Sequence, residues 1–302
     1  MSKVAFLFPG QGSQFAGMGK AWAEASPDAK HIFDRADEAL GFRLSKLCWE
    51  GPDEDLKLTE NTQPAILAAS VAAFVIAQEM GIEPNFVAGQ SFGEFSALVA
   101  AGSLDFSDAV RTVRNRGRYM QEAVPVGTGA MAALLKMPEG VLEQVLAEAA
   151  QGEVVTVSNY NSPDQTVISG HAGAVKRAGE LAKAAGARRV VPLPVSAPFH
   201  CPLMVPAQQR LKPELDALTF RELKTPLVNN WQAKMIRTGA EGREGLFQQI
   251  PNPVRWVETL GLLRDLGVTE AYEIGPGTVL AGLTKQTTPE IQMISPPWLS
   301  ES

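Results

Sequence analysis

Cysteine is almost missing from this 302-residue chain: Cys48 and Cys201 are the only two, and they form neither a CxxC pair nor a zinc-ligand spacing. A disulfide framework and a structural metal site are therefore not expected, and a reducing, cytoplasmic setting fits. Positive charge is also short. Lys and Arg number 27 against 33 Asp and Glu, a net charge of −6. The chain lacks the basic footprint that nucleic acid or an anionic membrane surface requires, and an acidic partner would need a local basic patch. Long apolar runs are missing too. The longest spans Ala65 to Ala77, is interrupted by Ser70, and reads as a buried helix too short to cross a bilayer. The opening Met-Ser-Lys-Val-Ala-Phe-Leu-Phe-Pro-Gly has one positive charge and too few apolar residues for a signal peptide. There is no internal repeat and no low-complexity segment.

What is present is an ordinary globular composition, 45% hydrophobic and 20% charged, long enough for one large domain or two smaller ones. Val4–Phe8 reads as a buried strand that stops at Pro9-Gly10-Gln11-Gly12. Helices are expected up to about residue 50, over Pro64–Met80, after Phe92 and over Asp105–Val124, with a second strand over 85–88. From about Gly127 the pattern becomes strand 130–135, helix 138–149, strands 154–158 and 166–169 flanking a turn at Asn161-Ser162-Pro163-Asp164, helix 172–185 and strand 189–193. That βαββαβ order predicts a small ferredoxin-like domain. The later chain returns to α/β texture, with a strand over 268–274. The fold class is thus α/β: a larger α/β-hydrolase-like domain with a mostly parallel sheet, formed by 1–126 and 198–302, and an inserted small domain over 127–197.

Gly89-Gln90-Ser91-Phe92-Gly93 matches G-x-S-x-G between a strand and a helix, the context of a nucleophile elbow. The flanking glycines remove side chains from a tight turn. Ser91 is lifted clear of the sheet, and the amide of Phe92 at the helix start can face an oxyanion. A serine nucleophile needs a base, and only three histidines are available. His31 lies among charged residues of an early helix, and His171 at the start of a later one. His200, in the apolar run Val195-Ser196-Ala197-Pro198-Phe199-His200-Cys201, is the best base by elimination. Cys201 reads as inert packing.

With elbow and histidine placed, the chain resembles the malonyl-CoA:acyl carrier protein transacylases of fatty acid and polyketide synthesis. The resemblance covers nearly the whole chain. It rests on Phe8-Pro9-Gly10-Gln11-Gly12-Ser13-Gln14, Thr62-Gln63-Pro64-Ala65, the segment 89–98, Arg116-Gly117-Arg118-Tyr119-Met120-Gln121, Asn161-Ser162-Pro163, Pro198-Phe199-His200, Val228-Asn229-Asn230, Asn252-Pro253-Val254-Arg255-Trp256 and Glu273-Ile274-Gly275-Pro276-Gly277. It implies Ser91 as the acylated nucleophile with His200 as its base, and backbone amides of Gln11 and Phe92 as the oxyanion hole. Gln249 would orient the histidine through its carbonyl, making a dyad rather than a triad. Arg116 would pair with the free carboxylate of malonate, because a planar guanidinium can hold a carboxylate by two charge-assisted bonds. Phe199 would fill space that an α-methyl needs, a discrimination of roughly 1–3 kcal/mol.

The resemblance further implies a monomer that uses a coenzyme A thioester and a holo, phosphopantetheinylated acyl carrier protein, without metal or other cofactor. The chain departs from the family at Gln90, where histidine is usual. Glutamine can donate and accept in support of the turn but cannot be cationic, so retained chemistry is expected, with room for a changed rate or acyl-enzyme lifetime. Phe92 and Phe95 are also bulkier or less polar than the usual Leu and Tyr. The alternative function is an acyl hydrolase on the same scaffold that clears acyl groups from carrier proteins; it would not need Arg116.

Overall fold

The computed structural model describes residues 2–195 and 197–296. Among the described residues ten strands form two sheets: β1 (Lys3–Phe8), β2 (Phe86–Gly89), β3 (Gly129–Leu135), β4 (Val155–Ser162), β5 (Gln165–His171), β6 (Arg189–Pro192), β7 (Leu227–Val228), β8 (Met235–Ile236), β9 (Val268–Glu273) and β10 (Gln292–Ile294). The larger sheet has the order β10-β9-β1-β2-β7-β8. Its pairs are parallel except β7 with β8.

Alternation along the central strands divides the core. Phe6, Phe8 and Val87 face one side, against the Ala-rich helix Thr59–Glu79 and its neighbours Pro27–Leu40 and Phe106–Glu122. Ala5, Leu7, Phe86 and Ala88 face the other, where Leu260 and Leu263 of helix Trp256–Asp265 and Leu280 and Leu283 of Val279–Thr287 cover them. Strands buried on both faces read as continuous apolar runs, which is why β1 was legible in sequence.

The smaller sheet is antiparallel, in the order β4-β5-β3-β6. All four strands come from residues 129–192, and the order is that of a ferredoxin-like βαββαβ unit. Ala132, Leu134 and Ile168 bury beneath the helices Leu142–Ala150 and Ala172–Ala184. Met131, Ala133 and Val167 of the opposite face join the core of the larger body instead. The sheet therefore closes over the carboxyl ends of β1 and β2.

Several boundaries differ from expectation. The helix expected from Pro64 begins at Thr59 and carries Pro64 inside it as its sixth residue, so the Glu60 carbonyl loses its intrahelical donor. The helix expected from Pro138 begins at Leu142, because Glu139-Gly140 makes a turn with Gly140 at φ +75°. Strand β4 runs through to Ser162, so the hairpin turn is only Pro163-Asp164. The short strands β7, β8 and β10 carry too few residues to leave a period in the sequence. Of the expected segments, Ser196 and residues 297–302 lie outside the described residues.

Candidate active site

Strands β1 and β2 run parallel with Phe8 opposite Gly89, so the loop carrying Gln11 and the turn carrying Ser91 leave the sheet side by side. The carboxyl ends of adjacent parallel strands are where open α/β sheets build their sites. The elbow is sterically demanding. A Cβ on Gly89 would lie 2.0 Å from the carbonyl of Gly93, and one on Gly93 would lie 2.4 Å from the Phe8 oxygen. Ser91 itself adopts φ +54°, a left-handed conformation costing about 1–3 kcal/mol that persists only when the surroundings impose it. The next helix, Gly93–Ala100, starts directly behind it.

Ser91 Oγ lies 2.7 Å from His200 Nε2. His200 Nδ1 lies 2.7 Å from the main-chain oxygen of Gln249. A carbonyl oxygen only accepts, so Nδ1 carries the proton and Nε2 presents its lone pair to the serine hydroxyl. His200 is 4% exposed. Burial, reinforced by the positive charge of Arg116, holds its pKa down to about 4, so the imidazole is neutral at pH 7 and ready to accept a proton. Cys201 is buried, its thiol donating to the Pro198 oxygen at 3.1 Å, and burial raises its pKa. Neither other histidine is near: His31 is exposed on helix Pro27–Leu40, and His171 accepts the Val154 amide at 2.9 Å in the small sheet.

Arg116 enters from helix Phe106–Glu122 and is 1% exposed. Its Nη1 donates to Gln63 Oε1 at 2.9 Å and its Nη2 to Gln249 Oε1 at 3.0 Å, with Ser91 Oγ at 3.4 Å from Nη2. Its Nε has no partner among the described residues, and it forms no ion pair with them. Burial pulls its pKa down to about 9, opposed by the charge of Glu94, which leaves it cationic at neutral pH. A buried cation held only by neutral oxygens can receive an anion beside Ser91.

Ser91, His200, Gln11, Phe92, Arg116, Phe199 and Gln90 all line one cavity of about 160 Å³, whose apolar wall includes Met120, Met131, Val167 and Leu193. Neither the Gln11 nor the Phe92 amide donates to a protein acceptor among the described residues. Gln90 turns away from Ser91 Oγ and donates from Nε2 to Asn161 Oδ1 at 2.9 Å, while Asn161 donates to Gln165 Oε1 at 3.1 Å. This amide chain ties the elbow to the β4–β5 hairpin.

Three side chains of the site carried no role in the sequence reading. Gln63 braces Arg116. Asn230 accepts the Ser91 amide on Oδ1 at 3.0 Å and donates from Nδ2 to the Gly89 oxygen at 2.7 Å. Glu94 is buried behind both. Each lies inside a motif of the sequence, at 62–65, 228–230 and 89–98, but none has a local pattern that specifies its contacts.

The family profile of the acyl transferase domain matches residues 5–296, and the chain is 50% identical over 296 residues to the malonyl CoA-acyl carrier protein transacylase of Bacillus subtilis strain 168, covering 98% of this chain and 93% of that protein. The chain belongs to the acyl transferase domain family. The transacylase of the same name from Escherichia coli K12 is 49% identical over 287 residues, covering 95% of this chain and 93% of the relative. Among solved structures of the family, an acyl carrier protein S-malonyltransferase from Vibrio cholerae superposes with a TM-score of 0.95 at 46% identity, covering 97% and 96% of the two chains. A malonyl-transacylase solved in complex with its type II PKS acyl-carrier protein superposes with a TM-score of 0.94 at 45% identity, covering 97% and 96%.

Proposed function

We propose that this acyltransferase carries a malonyl group from coenzyme A to the phosphopantetheine thiol of an acyl carrier protein, through an ester on Ser91. One observation carries the reading beyond general acyl transfer: the buried Arg116 guanidinium, without a carboxylate partner among the described residues, directly beside the Ser91–His200 pair. The names of its relatives support the same substrate.

Ser91 Oγ attacks the thioester carbonyl as its proton passes to His200 Nε2. The amides of Gln11 and Phe92 hold the oxyanion, and Arg116 holds the malonyl carboxylate away from the reacting carbon. Collapse breaks the C–S bond, and the coenzyme A sulfur takes the proton back from His200. In the second half, the carrier thiol gives its proton to His200 and its sulfur attacks the ester. The C–O bond breaks, and Ser91 regains its proton. Gln249 keeps the imidazole in the tautomer both halves need. Every step uses groups of this chain and its two substrates, so the reaction requires no metal or redox cofactor. Phe199, on the cavity wall, restricts the space next to the malonyl α-carbon. The chain divides for this purpose into 1–126 with 198–302, which carry the dyad and Arg116, and 127–197, which closes the cavity. It acts as a cytoplasmic monomer.

Intact-protein mass spectrometry tests the reading. Malonyl-CoA should leave a malonyl adduct on Ser91 that holo carrier protein removes faster than water does. An adduct lost mainly to water would establish the hydrolase instead.

A further inference from the structure

Glu94 stands three residues beyond the nucleophile, in the first turn of helix Gly93–Ala100, and the transfer chemistry above leaves it unused. It is fully buried. One oxygen, Oε2, accepts three hydrogen bonds: from the Asn230 amide at 3.0 Å, from Asn230 Nδ2, and from Gln249 Nε2 at 3.0 Å. Those two partners hold the reacting groups directly. Asn230 accepts the Ser91 amide, and Gln249 supplies one oxygen to His200 Nδ1 and another to Arg116 Nη2. The second carboxylate oxygen, Oε1, has no partner among the described residues. Gly245 packs over it so closely that a Cβ there would lie 2.8 Å away.

We propose that Glu94 is a positioning residue of the acyl-transfer site, whose single oxygen Oε2 sets the Ser91 elbow through Asn230 and both His200 and Arg116 through Gln249. The inference rests on the assignment of Ser91, His200 and Arg116 made above. A carboxylate suits the task because it accepts without donating, and charge-assisted bonds are stronger and shorter than neutral ones. An amide at this position could offer the same single oxygen only without its charge, and its NH₂ group would fall in the buried space against Gly245, where Oε1 has no partner among the described residues. Burial raises the Glu94 carboxyl to about 7, against the opposing pull of its Asn230 bonds and of Arg116. The three donors and the nearby guanidinium all favour the ionised form.

Glu94→Gln tests the idea, with Gly245→Ala as a second variant. The latter pushes a methyl against Oε1 without removing any hydrogen-bonding group. Two rates are read in each folded variant: single-turnover malonylation of Ser91, and labelling of Ser91 by a sulfonyl fluoride, which carries no carboxylate. The downfield proton resonance of His200 Nδ1–H reports the Gln249 contact. Glu94→Gln should slow both rates by about 10- to 100-fold, the loss of one or two charge-assisted bonds, and move the His200 resonance. Gly245→Ala should change all three readings in the same direction. A purely structural role would lower the melting temperature and leave the rates of the folded protein and the resonance unchanged. Either variant folded, with both rates and the resonance at wild-type values, overturns the proposal. Wild-type protein that takes sulfonyl fluoride but no malonyl group would sink the transfer reading alone, because the labelling still tests Glu94.

Discussion

Replacing Arg116 by alanine should convert a malonyl-selective site into one that no longer distinguishes a free carboxylate. The guanidinium is 1% exposed and held by two amide oxygens, so it is already ordered before substrate arrives. In the variant the malonyl carboxylate must enter the same cavity with no counter-charge. Breaking a buried pair by removing one partner costs about 3–5 kcal/mol. At about 1.36 kcal/mol per decade that is a fall of roughly 10²·² to 10³·⁷ in kcat/KM for malonyl-CoA. Acetyl-CoA, which has no carboxylate, should lose nothing from that source. It should gain slightly, because removing Arg116 relieves one of the two influences that depress His200. The assay is the acylation rate of Ser91 by each thioester under single-turnover conditions. The acetyl-to-malonyl ratio should rise at least about 100-fold. An equal fall for both thioesters would refute the reasoning and make Arg116 a brace for the dyad rather than a carboxylate partner.

Other outcomes follow from the same geometry. His200 is neutral in the fold down to about pH 4, while the unfolded chain binds its proton near 6.5. Between those values the unfolded state holds more protons, so this residue's contribution falls as pH drops from 6.5 to 4, by about 3 kcal/mol in all. Glu94 acts oppositely, since its raised pKa makes stability fall as pH rises from 4.5 to 7. Denaturant titrations of wild type and His200→Gln across pH 4–7 separate the two, and identical slopes would contradict the assignment. Gly89→Ala, whose Cβ meets the Gly93 carbonyl at 2.0 Å, should abolish acylation and cost about 3 kcal/mol or more of stability by chemical denaturation. Phe199→Ser should open the cavity wall and raise the methylmalonyl-to-malonyl ratio of kcat/KM by about 10- to 200-fold; an unchanged ratio places the steric limit elsewhere.

The elbow was legible because its determinants are local. Five consecutive residues contain the glycines, the serine and the amide, between a strand and a helix whose patterns are clear. The βαββαβ unit was legible for the same reason, as an alternation of short periods. Gln63, Asn230 and Glu94 were not, because their most distant partners lie 53, 141 and 155 residues away. A glutamine or asparagine inside a motif has no period or spacing that names the residue it will meet. Gln90 shows the intermediate case. Its turning away from the nucleophile follows from the elbow, but its partner Asn161 belongs to a sheet that only packing brings over it.

By itself the sequence determined the fold class, the order of the longer elements, the strand-turn-helix elbow at Ser91 and a shortlist of histidines that could meet it, since these depend on local sterics, periodicity and a count of three histidines. The tertiary structure alone decided how they meet. Parallel pairing of β1 and β2 sets the Gln11 loop beside Ser91. The helix Thr59–Glu79 packed on Phe106–Glu122 brings Gln63 to Arg116. Gln249 joins His200, Arg116 and Glu94 because one residue offers a main-chain oxygen, a side-chain oxygen and a side-chain N–H in three directions. Burial then does what no exposed arrangement of the same residues could. Desolvation keeps His200 uncharged at neutral pH, while Arg116 stays a cation although burial lowers its pKa to about 9.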